Sequence, residues 1–122
     1  MDKKILVLIP CYNEEEVLPE TSKQLVAKMN SLISAGKISG NSRILFIDDG
    51  SKDKTWQMIE ELHSNEKLIS GLKLSRNRGH QNALLAGLMT AKEHADAVVS
   101  LDADLQDDID AIDAVIDRYE DG

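Results

Sequence analysis

The stretch "KILVLIP", Lys4 to Pro10, decides the fold of this chain. It is a continuous run of branched apolar side chains, without the alternating polar positions of a half-exposed strand. Such runs are typical of strands in a sheet that is covered on both faces, as parallel sheets are. Pro10 should end the strand, because proline has no N–H to donate to a neighbouring strand. We therefore predict a buried first strand.

Outward from this strand, three more apolar runs follow: "RILFID" (43–48), "GLKLS" (71–75) and "AVVSL" (97–101). Amphipathic helical spacing lies between and after them. Its apolar positions are Leu25, Met29 and Leu32; Trp56, Ile59 and Leu62; Leu84, Gly87, Leu88 and Ala91; and Ile109, Ile112, Ile116 and Tyr119. The alternation of strand and helix predicts an α/β fold, a Rossmann-like parallel sheet with helices on both faces.

Composition limits the function. A length of 122 residues suits one domain, and the net charge of -8 argues against nucleic acid as a partner, because phosphate binding requires surplus Lys and Arg. The single cysteine, Cys11, fits a reducing compartment, so we expect a cytoplasmic location. The apolar start of the chain ends in Pro and acids without a cleavage site of small residues, which is untypical of a signal peptide.

Polar segments follow all four predicted strands: "CYNEEE" (11–16), "DDGS" (48–51), "SRNRGHQ" (75–81) and "DADLQDD" (102–108). The opposite ends of the strands carry ordinary connections. In open parallel sheets, ligands bind beyond the carboxyl ends of the strands. This one-sided distribution predicts a ligand site at that edge.

Asp102 and Asp104 are candidates for a metal site. Alternate residues of an extended segment project to the same side, and two carboxylates there suit Mg²⁺ or Mn²⁺. The alternative is an aspartate-rich turn before the next helix, a role that fits Asp107 and Asp108 well.

The segment "DDGS" combines two acids with a sharp turn at Gly50. A carboxylate of Asp48 or Asp49 could accept hydrogen bonds from a base N–H or from ribose hydroxyls. Alternatively, both acids only shape the turn through bonds to the backbone. After it, Asp53 is predicted as an N-cap or first-turn acid of the next helix.

The remaining strand ends offer further ligand contacts. The guanidinium of Arg76 suits a diphosphate, and Gly79 lets the backbone approach a ligand closely. Tyr12 and Asn13 follow a buried strand and could contact a base or ribose. Cys11 is predicted to be a small buried residue and not a nucleophile, because no histidine partner can be placed.

Together, four segments resemble the inverting, GT-A-fold glycosyltransferases of family 2. The resemblance is strongest to the branch that loads a sugar onto a polyprenyl phosphate, as dolichol-phosphate mannose synthases and bactoprenol glucosyltransferases do. The matching segments are "IPCYNEEEVL" (9–18), "FIDDGSKDKT" (46–55), "LSRNRGHQNALLAGL" (74–88) and "LDADLQDD" (101–108).

The resemblance implies metal-dependent transfer of a hexose from a UDP- or GDP-linked donor to a polyprenyl phosphate, with inversion. Asp102 and Asp104 would hold Mg²⁺ or Mn²⁺ and are the catalytic candidates, since no activated base is evident. The implied donor contacts are Pro10, Tyr12, Asn13, Glu14, Asp48, Asp49, Gly50, Ser51, Arg76, Gly79, Asp102, Ala103 and Gln106.

The resemblance also implies that residues 1–122 are the nucleotide-sugar-binding part of a glycosyltransferase domain truncated at its C-terminus. Such a fragment would bind the donor and transfer little. The full-length protein would lie at the cytoplasmic face of the membrane, associated through the missing C-terminal region, and self-association into a homo-oligomer stays open. The alternatives are a non-catalytic nucleotide-sugar-binding module and a receiver-type phosphoacceptor domain. A receiver domain requires a phosphorylatable Asp after its third strand and a Lys after its fifth, whereas this sequence has "SRNRG" after the third predicted strand and shows no fifth.

Overall fold

The computed structural model describes residues 4–74 and 96–101. Within them the chain alternates strand and helix. The elements are β1 (Ile5–Cys11), α1 (Leu18–Ser34), β2 (Arg43–Asp48), α2 (Thr55–Asn65), β3 (Ile69–Lys73) and β4 (Ala97–Ser100). The strands form one parallel sheet in the order β3-β2-β1-β4. This confirms the predicted parallel α/β sheet, with the first apolar run between two neighbours.

Pro10 does not end β1, so that prediction is wrong by one residue. The strand continues to Cys11, which pairs with Asp48 of β2 and accepts a hydrogen bond from Asp49 N at 2.9 Å. Alternate residues of β1 turn their backbone groups to opposite neighbours, and Pro10 turns its nitrogen toward β4. The last β1–β4 pair is Leu8 with Ser100. Pro10 therefore interrupts no pairing with β2.

The bounds of β3 also differ from the prediction. The strand begins at Ile69, two residues before the predicted start at Gly71, and ends at Lys73. Position 71, inside the strand, requires glycine because α2 crosses it closely: a Cβ there would lie 2.6 Å from Ile59 Cγ2. The end of β4 at Ser100 is one residue earlier than predicted.

The core lies between the sheet and the two described helices, which pack on the same face. From β1 this core takes Val7 and Ile9, from α1 Met29, and from α2 Ile59. A second apolar cluster on the other face is centred on Leu8, Leu45 and Ile47. The helices predicted after "RNRGHQN" and from Ile109 onward lie outside the described residues. Neither α1 nor α2 has the length and hydropathy of a membrane span.

Candidate functional site

The carboxyl ends of β1 and β2 bring two polar segments side by side. The register pairs Cys11 with Asp48, so the loop after β1 (12–17) and the loop after β2 (49–54) leave the sheet from neighbouring positions. The predicted grouping of residues 12–14 with residues 48–51 is therefore present in the structure.

Asp48 combines a turn-forming bond with an unused oxygen. Its side chain is 0% exposed. Oδ1 accepts a hydrogen bond from Ser51 N at 3.2 Å, across a turn in which Gly50 has a φ of 75°. Oδ2 is buried and has no hydrogen-bond partner among the described residues. The turn-forming role predicted for Asp48 is thus present in the structure, and Oδ2 is a buried acceptor that the described residues leave without a hydrogen bond.

Asn13 and Ser51 hold the two loops together. Asn13 N donates to Ser51 Oγ at 2.8 Å, and Asn13 Oδ1 accepts from Lys52 N at 2.8 Å. Asn13 has a φ of 54°, a left-handed conformation that Asn adopts more readily than most residues. Both side chains, which the resemblance implies as contacts to the sugar nucleotide, thus accept a hydrogen bond from the backbone of the other loop.

A second bridge runs through Asp53 and Thr55. The hydroxyl of Thr55, a fully buried residue, accepts from Glu14 N at 2.8 Å and donates to Asp53 Oδ1. Asp53 also accepts from Thr55 N at 2.9 Å and from Glu15 N at 3.3 Å. Burial works against the charge of Asp53, but these hydrogen bonds outweigh it and lower its pKa. Asp53 lies one residue before the N-cap, Lys54, so the prediction that Asp53 is the N-cap or a first-turn acid of α2 is wrong. Its carboxylate accepts from Thr55 N, the first residue of the helix, from outside the helix.

Thr55 was not predicted from the sequence. The signal for it is the spacing of "DKT", in which an Asp two residues before a Thr at a helix start can bind the Thr backbone and hydroxyl. The partner of its hydroxyl, Glu14 N, lies 41 residues earlier in the chain, where no local pattern indicates it.

The other predicted residues of this edge differ in how far their side chains are exposed to solvent. Tyr12 is 38% exposed and is the exposed large apolar side chain of the described residues, whereas Pro10 is buried within β1. Cys11 is buried, as predicted, and burial raises the pKa of its thiol, with the charges of Glu14 and Asp48 adding to the effect. A thiol held protonated in this way is a poor nucleophile.

The predicted metal pair lies outside the described residues, as do Arg76, Gly79, Ala103 and Gln106. Residues 4–74 and 96–101 by themselves bring together no group of three or more His, Cys, Asp or Glu that could hold a metal ion. Leu101, the last described residue, donates its N–H to Leu8 O, so the carboxyl end of β4 points toward the same edge of the sheet but pairs with β1 only as far as Leu8. Asp102 is the next residue in the chain.

Comparison with known sequences gives a consistent result. The family described as "Glycosyl transferase family 2" matches residues 6–122. The chain is 50% identical over 118 residues to uncharacterized glycosyltransferase YkoT of Bacillus subtilis, covering 97% of this chain and 35% of the relative. It is 38% identical over 121 residues to the prophage bactoprenol glucosyl transferase homolog of Escherichia coli, covering 98% and 36%. The chain spans about a third of the length of the curated relatives it matches.

A solved structure shares the fold. Mannosyltransferase PcManGT from Pyrobaculum calidifontis, solved in complex with GDP-Man and Mn²⁺, matches with a TM-score of 0.74 over 95% of this chain and 32% of that chain. At 21% sequence identity, this likeness concerns the fold. It confirms the expected class, the Rossmann-like sheet of GT-A glycosyltransferases.

Proposed function

Because this chain belongs to glycosyl transferase family 2, we propose that the sheet edge around Asp48 is the donor site of a metal-dependent, inverting hexosyltransferase. The donor is a UDP- or GDP-linked hexose, and the acceptor is a polyprenyl phosphate. Residues 1–122 supply the nucleotide-sugar-binding part of the domain. The protein works at the cytoplasmic face of the membrane.

The unused oxygen of Asp48 is the observation that supports this proposal most strongly. A buried carboxylate oxygen without a hydrogen-bond partner is destabilising by about 1–3 kcal/mol or more, so its retention calls for a compensating ligand. A nucleotide offers suitable donors in the N–H groups of its base and the hydroxyls of its ribose. Tyr12, exposed at the start of the neighbouring loop, offers an aromatic face to the same base or ribose.

The relatives support the acceptor and the metal. One is named for bactoprenol glucosyl transfer, and a structural neighbour of the same fold contains GDP-Man and Mn²⁺. In this chain Asp102 and Asp104 would hold Mg²⁺ or Mn²⁺, since paired carboxylates are hard oxygen ligands suited to these ions. When bound, the ion offsets charge on the departing nucleoside diphosphate. A polyprenyl phosphate is already anionic, so the acceptor needs no strong general base.

The test is a calorimetric titration of the chain with UDP, GDP, UDP-glucose and GDP-mannose, with and without Mn²⁺. We expect binding to one nucleotide series, strengthened by Mn²⁺, and loss of that strengthening in Asp102→Asn/Asp104→Asn. A folded chain that binds none of the four at millimolar concentration would refute the donor-site proposal. Transfer to a polyprenyl phosphate, assayed with radiolabelled donor, separates a transferase from a non-catalytic binding module.

A further inference from the structure

We infer that Thr55 and Asp53 are positioning residues that hold the loop after β1 in the arrangement that receives the nucleotide. Neither side chain needs to touch the donor. They act through the backbone of Glu14 and Glu15, and so set where Tyr12 and Glu14 stand relative to Asp48. This inference rests on the proposed function of the same edge.

The geometry supports the inference because three successive N–H groups of the loop after β1 donate to side chains of the loop after β2 and of Thr55, the first residue of α2. Asn13 N, Glu14 N and Glu15 N donate respectively to Ser51 Oγ, Thr55 Oγ1 and Asp53 Oδ2, at 2.8, 2.8 and 3.3 Å. Lys52 N returns one bond to Asn13 Oδ1. We call Asn13, Ser51, Asp53 and Thr55 the loop clasp.

Thr55 is the centre of the loop clasp. It is 0% exposed, and its hydroxyl accepts from Glu14 N while donating to Asp53 Oδ1. Thr55 is also the first residue of α2, whose Ile59 packs in the main core. The clasp therefore anchors a loop to a helix that the core already fixes. A displacement of the loop would break four backbone N–H bonds, those of Asn13, Glu14, Glu15 and Lys52, and the buried Thr55 hydroxyl would keep only Asp53 as its partner.

An anchor also favours the observed loop conformation, because even for Asn the left-handed backbone of residue 13 is less favourable than the right-handed one. Asn13 has a φ of 54°, and left-handed conformations of residues other than glycine persist where surrounding contacts hold them. Without the clasp, the loop would occupy this arrangement only part of the time. The apparent affinity for a ligand falls in proportion to the occupied fraction of the binding-competent state.

The test compares three variants by calorimetric titration with Mn²⁺-UDP and Mn²⁺-GDP. Thr55→Val keeps the shape and removes the hydroxyl; Thr55→Ser keeps the hydroxyl and should restore binding. The matched control is Ser42→Ala, because Ser42 is also 0% exposed and its Oγ accepts Ile5 N at 2.9 Å, at the opposite edge of the sheet.

We expect Thr55→Val to weaken nucleotide binding about tenfold, Thr55→Ser to bind within about threefold of wild type, and Ser42→Ala to bind as wild type does. Urea unfolding should show that Thr55→Val and Ser42→Ala lose comparable stability, so the loss of affinity is not a general effect of destabilisation. Amide hydrogen exchange should be faster at Glu14 in Thr55→Val and at Ile5 in Ser42→Ala.

Asp53→Asn, at a half-buried position, provides a second variant should Thr55→Val not fold, and we expect it to weaken binding about threefold or more. Wild-type affinity in a folded Thr55→Val or Asp53→Asn variant would overturn the positioning role alone. An equal loss of affinity in Ser42→Ala would overturn it too. A wild-type chain that binds neither nucleotide would instead overturn the proposed function, and this inference with it.

Discussion

Replacing Asp48 by Asn should change stability and nucleotide binding in opposite directions. The substitution preserves size and keeps a carbonyl oxygen for Ser51 N, which donates to Asp48 Oδ1 at 3.2 Å. It removes the negative charge from a side chain that is 0% exposed and replaces the unpartnered Oδ2 by an amide nitrogen. If the carboxylate of Asp48 stabilises the fold, the substitution should lower the free energy of unfolding. If the carboxylate serves a ligand instead, the substitution should raise the free energy of unfolding of the ligand-free protein.

The magnitudes follow from the contacts. An unpartnered buried polar group costs about 1–3 kcal/mol, and a charged one costs more, so the neutral amide should raise the free energy of unfolding by about 1 kcal/mol. A hydrogen bond from a nucleotide to a charged acceptor contributes about 1.5–3 kcal/mol, and its loss should weaken binding about 10- to 100-fold. Asp48→Asn is thus expected to be a more stable protein and a poorer binder.

Urea unfolding without ligand and calorimetric titration with Mn²⁺-UDP and Mn²⁺-GDP measure the two effects separately. Asp96→Asn is the matched control, because Asp96 Oδ2 also accepts a backbone N–H, from Lys4 at 2.8 Å, at the opposite end of the sheet. Its nucleotide affinity should equal that of the wild type. Wild-type affinity in Asp48→Asn would refute the donor contact, and a clear loss of stability would show that the carboxylate serves the fold.

Three further predictions concern the described residues. Gly71→Ala should lower the free energy of unfolding by about 1–3 kcal/mol, because its Cβ would lie 2.6 Å from Ile59 Cγ2; Gly40→Ala, whose nearest neighbour is at 4.0 Å, should be close to neutral in the same urea titration. Cys11, buried and with a raised pKa, should resist iodoacetamide at pH 8 in the native state and react in urea, as followed by mass spectrometry. The hydrogen bonds of Asp53 outweigh the effect of burial and lower its pKa, so its stabilising effect is present above the unfolded-state pKa of about 3.9 and lost as the pH falls through the folded-state pKa. The stability difference between wild type and Asp53→Asn should therefore be constant from about pH 6 to 8 and shrink below about pH 4.

Local pattern predicts the strands well where burial alone decides them. The apolar run "RILFID" coincides with β2, residues 43–48, because both faces of this strand are covered. The predicted start of β3 lay two residues too late, because glycine is typical of turns and favours a strand boundary at Gly71. Its place inside the strand follows from the close approach of Ile59 of α2, a tertiary contact that no local pattern contains.

The candidate site, too, could be predicted only in part from the sequence. The topology of parallel strands predicts that Tyr12 and Asp48 share an edge, because every strand ends on the same side. The loop clasp could not be predicted, since its bonds join residues 38 to 41 positions apart and depend on which backbone N–H meets which side chain. The pairing of β1 with β2 has to be fixed first, through Cys11 and Asp48, before these groups come within hydrogen-bonding distance.

Asp48 and Asp53 belong to the same segment, and the contrast between them separates structure from function. Asp53 is supplied with donors on both oxygens, from the backbone and hydroxyl of Thr55 and from Glu15 N, although it is only half-buried. Asp48 is fully buried, where an unpartnered oxygen costs more, yet among the described residues its side chain accepts a single hydrogen bond, from Ser51 N. We propose that a ligand completes the hydrogen bonding of Asp48 Oδ2 and that Asp53 holds the neighbouring loop in place for that ligand.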